Sequence, residues 1–268
     1  RYFMISVIMG IYNCEHTLED AINSIINQTY TDWELIMCDD GSTDNSYEIA
    51  KKFEKEDKRI KVIKNNKNIG LAATLNNCIK YVKGKYIARM DADDISTPDR
   101  FKLQVDFLEN NKEFDLVGGL MQSFDELGDK KIIAIKEIPN KYDLPKFNPF
   151  HHATIMMKSE CMISLNGYTV SKDTTRAEDV DLWFRFFDLN FKGYNLQNVI
   201  YRVREDRNAY KRRKFKYTLQ ASKVLYKGIK LLKLPIKYYL YIIKPIVSWF
   251  TPLTLKQIYR EKLVKGKC

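Results

Sequence analysis

The chain has 268 residues, of which 45% are hydrophobic, and its 45 Lys and Arg residues outnumber 34 Asp and Glu residues to give a net charge of +11. This length and apolar content exclude a disordered chain and suffice for one large domain, or for one domain with an appendage. The charge is uneven, because residues 207–268 hold 17 Lys and Arg but one acid, Glu261, which leaves a net charge of −5 on residues 1–206. An acidic body argues against a nucleic-acid-binding protein, whereas the basic stretch predicts an anionic partner surface.

The first half of the chain alternates strand and helix patterns. "MISVIMG" predicts a buried strand, and the apolar spacing from Glu15 to Asn27 predicts a helix. "WELIMC" predicts a second strand, followed by a turn in which Ser42 or Thr43 caps a helix that ends near Glu56.

The alternation continues to about residue 110. "IKVIK" predicts a third strand, Gly70 to Val82 a helix, and "KYIARM" a fourth strand. Thr97 and Pro98 are then predicted to cap and begin another helix. Strands separated by single helices predict right-handed βαβ units and therefore a largely parallel α/β sheet flanked by helices.

After residue 110 the pattern is mixed. "DLVGG", residues 131–138, "ATIMM" and "NVIYRVRE" predict strands, and a helix is expected to start near Glu178. From Arg207 the pattern becomes helical, basic and rich in Tyr.

Three polar clusters follow the predicted parallel strands, namely "GIYN", "DDGSTD" and "DADD". Ligands of such sheets bind beyond the carboxyl ends of the strands, so the clusters are expected to share one edge. Asp91 and Asp93, one residue apart after an apolar strand, offer oxygen ligands that suit Mg²⁺ or Mn²⁺ bridging to a diphosphate. The alternative is a solvated acidic loop, and Asp99 is interpreted as an acid in the first turn of a helix. No GxxxxGK[ST] or GxGxxG motif is present, which argues against a P-loop or dinucleotide enzyme.

Four motifs in order give the sequence a family resemblance. They are "SVIMGIYNCEHTLEDAINSIINQTYTDWELIMCDDGSTDNS", "NIGLAATLNNCI", "GKYIARMDADDISTPDR" and "AEDVDLWFR". Together, over residues 4–205, they resemble the inverting nucleotide-sugar glycosyltransferases of family 2, which have the Rossmann-like GT-A fold. The resemblance implies a hexosyl- or N-acetylhexosaminyltransferase that uses a UDP-sugar and Mn²⁺ or Mg²⁺ in bacterial surface polysaccharide synthesis. It also implies a GT-A domain at 1–206, with a nucleotide-binding half at 1–110 and an acceptor-binding half at 111–206.

The resemblance further implies a role for each matching residue. On the donor side, Gly10 and Tyr12 are expected around uracil and ribose, and Asp39 is expected to bind the uracil imide. Asn68 and Gly70 are expected to close the base pocket. Asp91 and Ala92 are expected beside the ribose or metal, and Asp93 as the metal ligand proper. Tyr12 as a packing aromatic, Asp39 as a turn former and Gly70 as a helix-start glycine remain alternatives.

The acceptor side is expected to carry the general base. Asp179 in "AED" matches it, although Asp181 on the next turn could face inward instead. A carboxylate on an element separate from the metal site can accept the proton of an acceptor hydroxyl, which suits a single displacement with inversion. Further candidates for the acceptor side are Glu178, His152 and Trp183. Core packing is the alternative role for Trp183. A structural role or a contact with the diphosphate remains open for His151 or His152.

The basic region at 207–268 predicts an amphipathic, helical membrane-surface segment. Its longest charge-free run, residues 245–255, is too short for a span, which needs roughly 20 residues. Apolar residues mixed with Lys and Tyr instead fit a helix in the headgroup region, and an ordinary helical subdomain with solvated lysines is the alternative. A membrane-surface segment combined with a sugar-nucleotide donor predicts that the glycan acceptor is linked to a lipid.

Cysteine usage and the start of the chain predict a cytoplasmic protein at the inner face of the cell membrane. Five cysteines without a CxxC pair favour thiols in a reducing compartment over a disulfide framework or zinc site. No signal peptide is recognised at the start.

Two other function classes fit parts of the sequence. A haloacid-dehalogenase-type phosphatase would make Asp91 a nucleophile, but three βα units precede it and "DDGSTD" would have no role. A non-catalytic membrane adaptor would have no use for Asp39, Asp91, Asp93 and Asp179.

Overall fold

Four parallel strands form the first half of the sheet in the computed structural model, which describes residues 4–205 and 214–251. They are β1 (Ile5–Ile11), β2 (Trp33–Asp39), β3 (Ile60–Lys64) and β4 (Tyr86–Asp91), and they lie in the order β3-β2-β1-β4. Every residue of β2 is buried, since helices cover both faces of a parallel sheet and leave no polar side for alternation. The predicted parallel βα half is therefore confirmed.

Three helices cross between these strands and a fourth follows them: α1 (Leu18–Ile26), α2 (Ser46–Glu56), α3 (Leu71–Ile79) and α4 (Arg100–Asn110). The predicted caps of α2 and α4 are wrong. Ser42 and Thr43 precede α2 and bind Asn13, which draws the turn after β2 toward the end of β1. Helix α4 follows Asp99, because the Thr97 carbonyl accepts the Arg100 N–H in a turn before the helix.

The second half of the sheet mixes strand directions. Its strands are β5 (Ile95–Ser96), β6 (Leu116–Asp125), β7 (Gly128–Ile133), β8 (Met156–Lys158) and β9 (Gly193–Arg204). Strand β8 is antiparallel to β4 and to β6, whereas β6 and β9 are parallel. The strand expected at 131–138 is β7 and ends at Ile133, and β9 is longer than the "NVIYRVRE" pattern predicted. The two-residue strand β5 was not predicted.

A buried arginine joins the two halves. Arg100 is fully buried, and its Nη2 donates to the carbonyls of Arg89 (2.8 Å), Ala153 (3.3 Å) and Ile155 (3.3 Å), while its Nε donates to Gln104 Oε1. Burial lowers the pKa of Arg100 to about 10, which leaves it charged at neutral pH. This cation thus links the end of β4 to the segment before β8.

The basic C-terminal region packs on the rest of the molecule. Helices α5 (Ser159–Ser164) and α6 (Glu178–Asp188) precede β9, and α7 (Phe215–Leu231), a 3₁₀ helix (Ile236–Ile243) and α8 (Lys244–Phe250) follow it. Leu225 and Ile229 of α7 enter the same hydrophobic core as Trp183 and Phe184 of α6. Gly228 allows this approach, since a Cβ there would lie 2.2 Å from the Phe184 ring.

Three further predictions concern membrane-spanning helices, disulfides and the domain boundary. In residues 4–205 and 214–251, no helix is long and apolar enough to cross a membrane. Cys14, Cys38, Cys78 and Cys161 form no disulfide. The predicted boundary at 206/207, Glu261 and Cys268 lie outside the described residues.

Candidate active site

The carboxyl ends of β1, β2 and β4 meet at one edge of the sheet. Ile11 is paired with Asp39 of β2, and Gly10 is paired with Asp91 of β4. The register thus places Asp39 and Asp91 on either side of the end of β1. This arrangement is what the polar clusters after the three strands predicted.

Asp39 presents one carboxylate oxygen without a partner. The residue is fully buried, and its Oδ2 accepts the Ser42 N–H at 3.2 Å. Its Oδ1 has no hydrogen-bond partner among the described residues. An unsatisfied buried acceptor is costly, so this oxygen suits an N–H donor supplied by a ligand.

Asp40, which sequence reasoning did not assign, organises the neighbouring loop. Its carboxylate accepts hydrogen bonds at 2.9 Å from the Ile69 N–H, the Gly70 N–H and Asn65 Nδ2. Successive residues at the end of a strand point to opposite sides, so the two acids of "DDGS" have different partners. That alternation was the signal in the sequence.

The loop before α3 lies close to the turn after β2. Gly41 has φ +73°, and a Cβ there would lie 2.9 Å from the Asn68 backbone nitrogen. Gly70, with φ +90°, immediately precedes α3, so its helix-start role is real and coexists with its N–H bond to Asp40. Asn68 is exposed on this loop.

Gly10 and Tyr12 border the same place. A Cβ on Gly10 would lie 3.1 Å from Leu71 Cδ1, so α3 approaches β1 closely. Tyr12 is 49% exposed, which argues against the alternative of a core aromatic. The structure thus brings the segments that carry Gly10, Tyr12, Asp39, Asn68 and Gly70 together.

The acids of "DADD" have separate environments. Asp91 Oδ1 forms an ion pair with Arg89 Nη2 at 2.7 Å, and the Asp91 N–H donates to the Tyr201 hydroxyl at 3.1 Å. Asp93 is exposed. Asp94 is buried and accepts the Arg204 N–H at 2.8 Å. Burial, together with the charges of Asp91 and Asp93, raises the pKa of Asp94 to about 8, which reduces the repulsion within the cluster.

Asp91 and Asp93 fit a divalent cation that also binds phosphate. Carboxylate oxygens are the ligands that Mg²⁺ and Mn²⁺ prefer. In the described ranges, no group of three or more His, Cys, Asp or Glu residues is placed to hold a metal by itself. A cation held by this pair would therefore take further oxygens from a substrate or water. The Ala92 carbonyl between them accepts the Thr17 hydroxyl at 3.0 Å, which ties this loop to α1. Asp99 lies apart from the pair and accepts the Thr29 hydroxyl at 2.9 Å.

Arg89, also missed from the sequence, lies behind the acidic cluster. It is 6% exposed, and its Nε has no hydrogen-bond partner among the described residues. Burial acts to lower the pKa of Arg89, but electrostatic interactions, first with Asp91 and then with Tyr168, Tyr201 and Asp179, outweigh this effect and raise the pKa above its usual value. An arginine inside the apolar run "KYIARM" was the available signal.

Asp179 is presented from the first turn of α6, on an element separate from Asp91 and Asp93. Its Oδ2 accepts Asn148 Nδ2 at 2.7 Å, and its Oδ1 accepts the Val180 N–H at 2.8 Å. Asp181 is engaged elsewhere, since it accepts the Thr169 hydroxyl at 2.6 Å and pairs with Arg185 Nε at 2.9 Å. The geometry therefore favours Asp179 over Asp181 as a base. Burial, and then the charge of Asp179, raise the pKa of Glu178.

His152 borders this side of the site, whereas Trp183 does not face it. His152 is partly exposed, and its Nε2 lies 2.9 Å from the Tyr168 hydroxyl. Burial, with the charge of Arg89, holds the pKa of His152 well below its usual value, so the ring is neutral at pH 7. His151 Nε2 lies 3.2 Å from the Ile133 carbonyl, a structural contact at the end of β7. Trp183 is fully buried, so the core alternative describes it and no face of its ring is open to an acceptor.

A half-parallel sheet with acids gathered at the carboxyl ends of its strands defines an α/β protein, and this architecture matches glycosyltransferase structures of the GT-A fold. Residues 6–165 match the model of glycosyl transferase family 2. The chain belongs to this family and is a glycosyltransferase. Membership of this family argues against the alternative of a haloacid-dehalogenase-type phosphatase.

Two relatives illustrate the similarity in sequence. EpsE of Bacillus subtilis (strain 168), which carries the name of a glycosyltransferase, is 46% identical over 98% of this chain and 95% of its own length. WfgD of Escherichia coli, named as a UDP-Glc:α-D-GlcNAc-diphosphoundecaprenol β-1,3-glucosyltransferase, is 30% identical over 80% of this chain and 82% of its own length.

Two solved structures show the same fold. Staphylococcus aureus TarS 1-349 in complex with UDP-GlcNAc has a TM-score of 0.70 at 17% identity, with 91% of this chain and 70% of that chain covered. The mannosyltransferase PcManGT of Pyrobaculum calidifontis, in complex with GDP-Man and Mn²⁺, has a TM-score of 0.67 at 14% identity, with 100% and 81% covered.

Proposed function

We propose that this glycosyltransferase is metal-dependent and moves a hexosyl or N-acetylhexosaminyl group, with inversion, from a UDP-sugar to a hydroxyl of a lipid-linked glycan. The observation that carries the proposal is the division of the acids between Asp39, Asp91 and Asp93 at the sheet edge and Asp179 on α6. The acceptor named for WfgD and the UDP-GlcNAc bound to TarS support the same substrate classes. The reaction would serve bacterial surface polysaccharide synthesis at the inner face of the cell membrane.

Donor binding would use the buried Oδ1 of Asp39, which has no hydrogen-bond partner among the described residues. The imide N–H of uracil is a donor that can satisfy this buried acceptor, whereas an unpaired Oδ1 costs about 1–3 kcal/mol in the absence of a ligand. Gly10 and Tyr12 would lie on one side of the nucleoside and Asn68 and Gly70 on the other.

A domain division at about residue 206, with donor and acceptor halves meeting near residue 110, is part of this proposal.

A Mn²⁺ or Mg²⁺ ion held by Asp91 and Asp93 would neutralise charge that develops on the leaving diphosphate, an effect worth several kcal/mol. Arg89 fixes the carboxylate of Asp91 through its 2.7 Å ion pair. Ala92 holds the loop in place through Thr17. The protein would thereby orient the Asp91 carboxylate and hold the loop that carries Asp93 before the donor arrives.

The base would be Asp179. The acceptor oxygen attacks C1 of the sugar, the bond from C1 to the diphosphate oxygen breaks with its electron pair leaving on UDP, and the acceptor proton passes to Asp179. Asn148 holds the carboxylate at 2.7 Å, with His152 and Glu178 at the border of the acceptor side. One displacement from the face opposite the diphosphate inverts the anomeric centre.

Replacing Asp179 tests the base. Asp179→Asn keeps the size of the side chain but cannot accept the proton, so transfer is expected to fall by about 10²–10⁴-fold while UDP-sugar binding is retained. Transfer by radiolabelled donor and binding by calorimetry measure the two effects. Asp188→Asn, an exposed acid at the other end of α6, is the matched control. Normal turnover by Asp179→Asn would contradict the assignment.

Metal removal tests the cation. Excess chelator is expected to abolish transfer, and added Mn²⁺ to restore it, because the diphosphate then leaves with its charge neutralised. Asp93→Asn should raise the Mn²⁺ concentration needed for half-maximal activity by at least about tenfold, since one anionic ligand is lost. Asp106→Asn on α4 is the control. Full activity in chelator would refute the metal assignment.

A further inference from the structure

An exposed apolar strip runs along the C-terminal described segment. It consists of Ile236, Leu240, Ile243, Val247 and Phe250, which are 85%, 77%, 51%, 57% and 73% exposed. Ile236, Leu240 and Ile243 lie on the 3₁₀ helix and Val247 and Phe250 on α8, so all five come from two consecutive helices. So many large, exposed apolar side chains close together in the chain indicate an interaction surface.

The other side of this segment is anchored in the protein. Tyr238 is 7% exposed and belongs to the core that contains Trp183. Tyr241 and Ile242 also pack against that core. The strip is therefore held in a fixed orientation, with its apolar side chains pointing away from the domain.

The charge around the strip selects the kind of partner. Residues 214–251 contain eight lysines and no Asp or Glu. Lys237 and Lys244 lie within the strip segment itself, and both are exposed. A surface that is apolar along one line and cationic beside it complements a bilayer that contains anionic lipids. A second copy of the chain would bring the same positive charge, which opposes self-association through this surface.

The strip is connected to the acceptor side of the site. Lys244 Nζ donates a hydrogen bond to the Lys146 carbonyl, and the rings of Tyr142 and Tyr238 stack at 5.8 Å. The same stretch of chain carries Asn148, which binds Asp179. The segment that would contact the membrane thus supports the loop that holds the base.

We propose that the strip docks on the anionic surface of the membrane and thereby places the acceptor side of the site next to lipid-linked acceptors. This inference rests on the proposed function for the nature of the acceptor. The docking itself rests only on the exposed strip, its anchored inner side and its lysines.

Tryptophan fluorescence of the full chain tests the docking. Of the three tryptophans, Trp33 and Trp183 are fully buried and Trp249, beside the strip, is 37% exposed. Phosphatidylglycerol vesicles are expected to shift the emission to the blue, because Trp249 enters a less polar environment, and phosphatidylcholine vesicles to shift it much less. Trp249→Phe should remove the shift. An unchanged spectrum with phosphatidylglycerol would overturn the proposal.

Co-sedimentation with the same vesicles tests the strip residues. The double variant Leu240→Ser with Phe250→Ser should bind phosphatidylglycerol vesicles at least about tenfold more weakly, because it loses two membrane-buried apolar side chains. Leu127→Ser, at an 86% exposed position in the β6–β7 turn, is the matched control and should bind normally. The proposal would be overturned if the double variant bound vesicles as strongly as the wild-type chain. It would also be overturned if the wild-type chain formed a concentration-dependent dimer that the double variant does not form.

UDP-sugar hydrolysis by the wild-type chain without vesicles separates the two proposals. Hydrolysis without vesicle binding would overturn the docking alone. Vesicle binding without hydrolysis of any UDP-sugar, in the presence of Mn²⁺, would instead count against the proposed donor.

Discussion

At the scale of single residues, the site depends on side chains that hold the acids as much as on the acids. Asp39, Asp91, Asp93 and Asp179 could be named from the sequence because they stand in short local motifs. Asn148 could not be named, since its partner Asp179 lies 31 positions away and no local pattern links the two. Asp40 was missed because its partners lie 25 to 30 positions away. Arg89 was missed although its partner Asp91 lies two positions on, because a charge inside an apolar run was not interpreted as part of the site.

Replacing Asn148 is predicted to impair the base without affecting the donor. Asn148→Ala removes a hydrogen bond to a carboxylate, an interaction worth about 1.5–3 kcal/mol, so kcat should fall roughly 10- to 100-fold. The KM for the UDP-sugar should stay the same, because Asn148 lies on the acceptor side. Steady-state kinetics measure both quantities, with Asn110→Ala at the end of α4 as the control. A raised donor KM with normal kcat would disprove this role.

At the scale of elements, hydrophobic periodicity predicted the strands and helices that are buried by neighbours in sequence. It predicted β1 to β4 well, because a strand made of an apolar run is buried wherever it lies in the sheet. It also predicted α6. It missed β5, a strand of two residues that exists only because β9 pairs with it. It also misplaced the starts of α2 and α4, where Ser42 binds Asn13 and the Thr97 carbonyl accepts a turn bond.

The contact between α6 and α7 gives a prediction about stability. Gly228→Ala would normally stabilise a helix by roughly 0.5–1 kcal/mol. Here the added methyl group meets the buried Phe184 ring, so the free energy of unfolding is expected to fall by about 1–3 kcal/mol. Thermal or urea unfolding measures the change, and Lys230→Ala, exposed on the same helix, should be close to neutral. A stabilised Gly228→Ala would show that α7 packs differently.

At the scale of the whole molecule, the uneven charge indicated a basic appendage but not how it is attached. Composition shows which residues a segment contains but not which of them pack against the domain. Here Gly228 lets α7 approach the Phe184 ring of α6 closely. Val224, Leu225 and Ile229 are buried. Removing all residues after 206 would therefore expose core surface as well as remove lysines.

The arginine that bridges β4 and the segment before β8 constrains how the enzyme can work. Parting these two segments would separate a buried guanidinium either from the Arg89 carbonyl on β4 or from the Ala153 and Ile155 carbonyls before β8. Each lost hydrogen bond to this charged group would cost about 1.5–3 kcal/mol, a sizeable part of the roughly 5–15 kcal/mol by which domains are stable. Turnover is therefore expected to keep β4 and the segment before β8 together, so that substrate entry and product release fall to the surface loops and not to a hinge between these two segments.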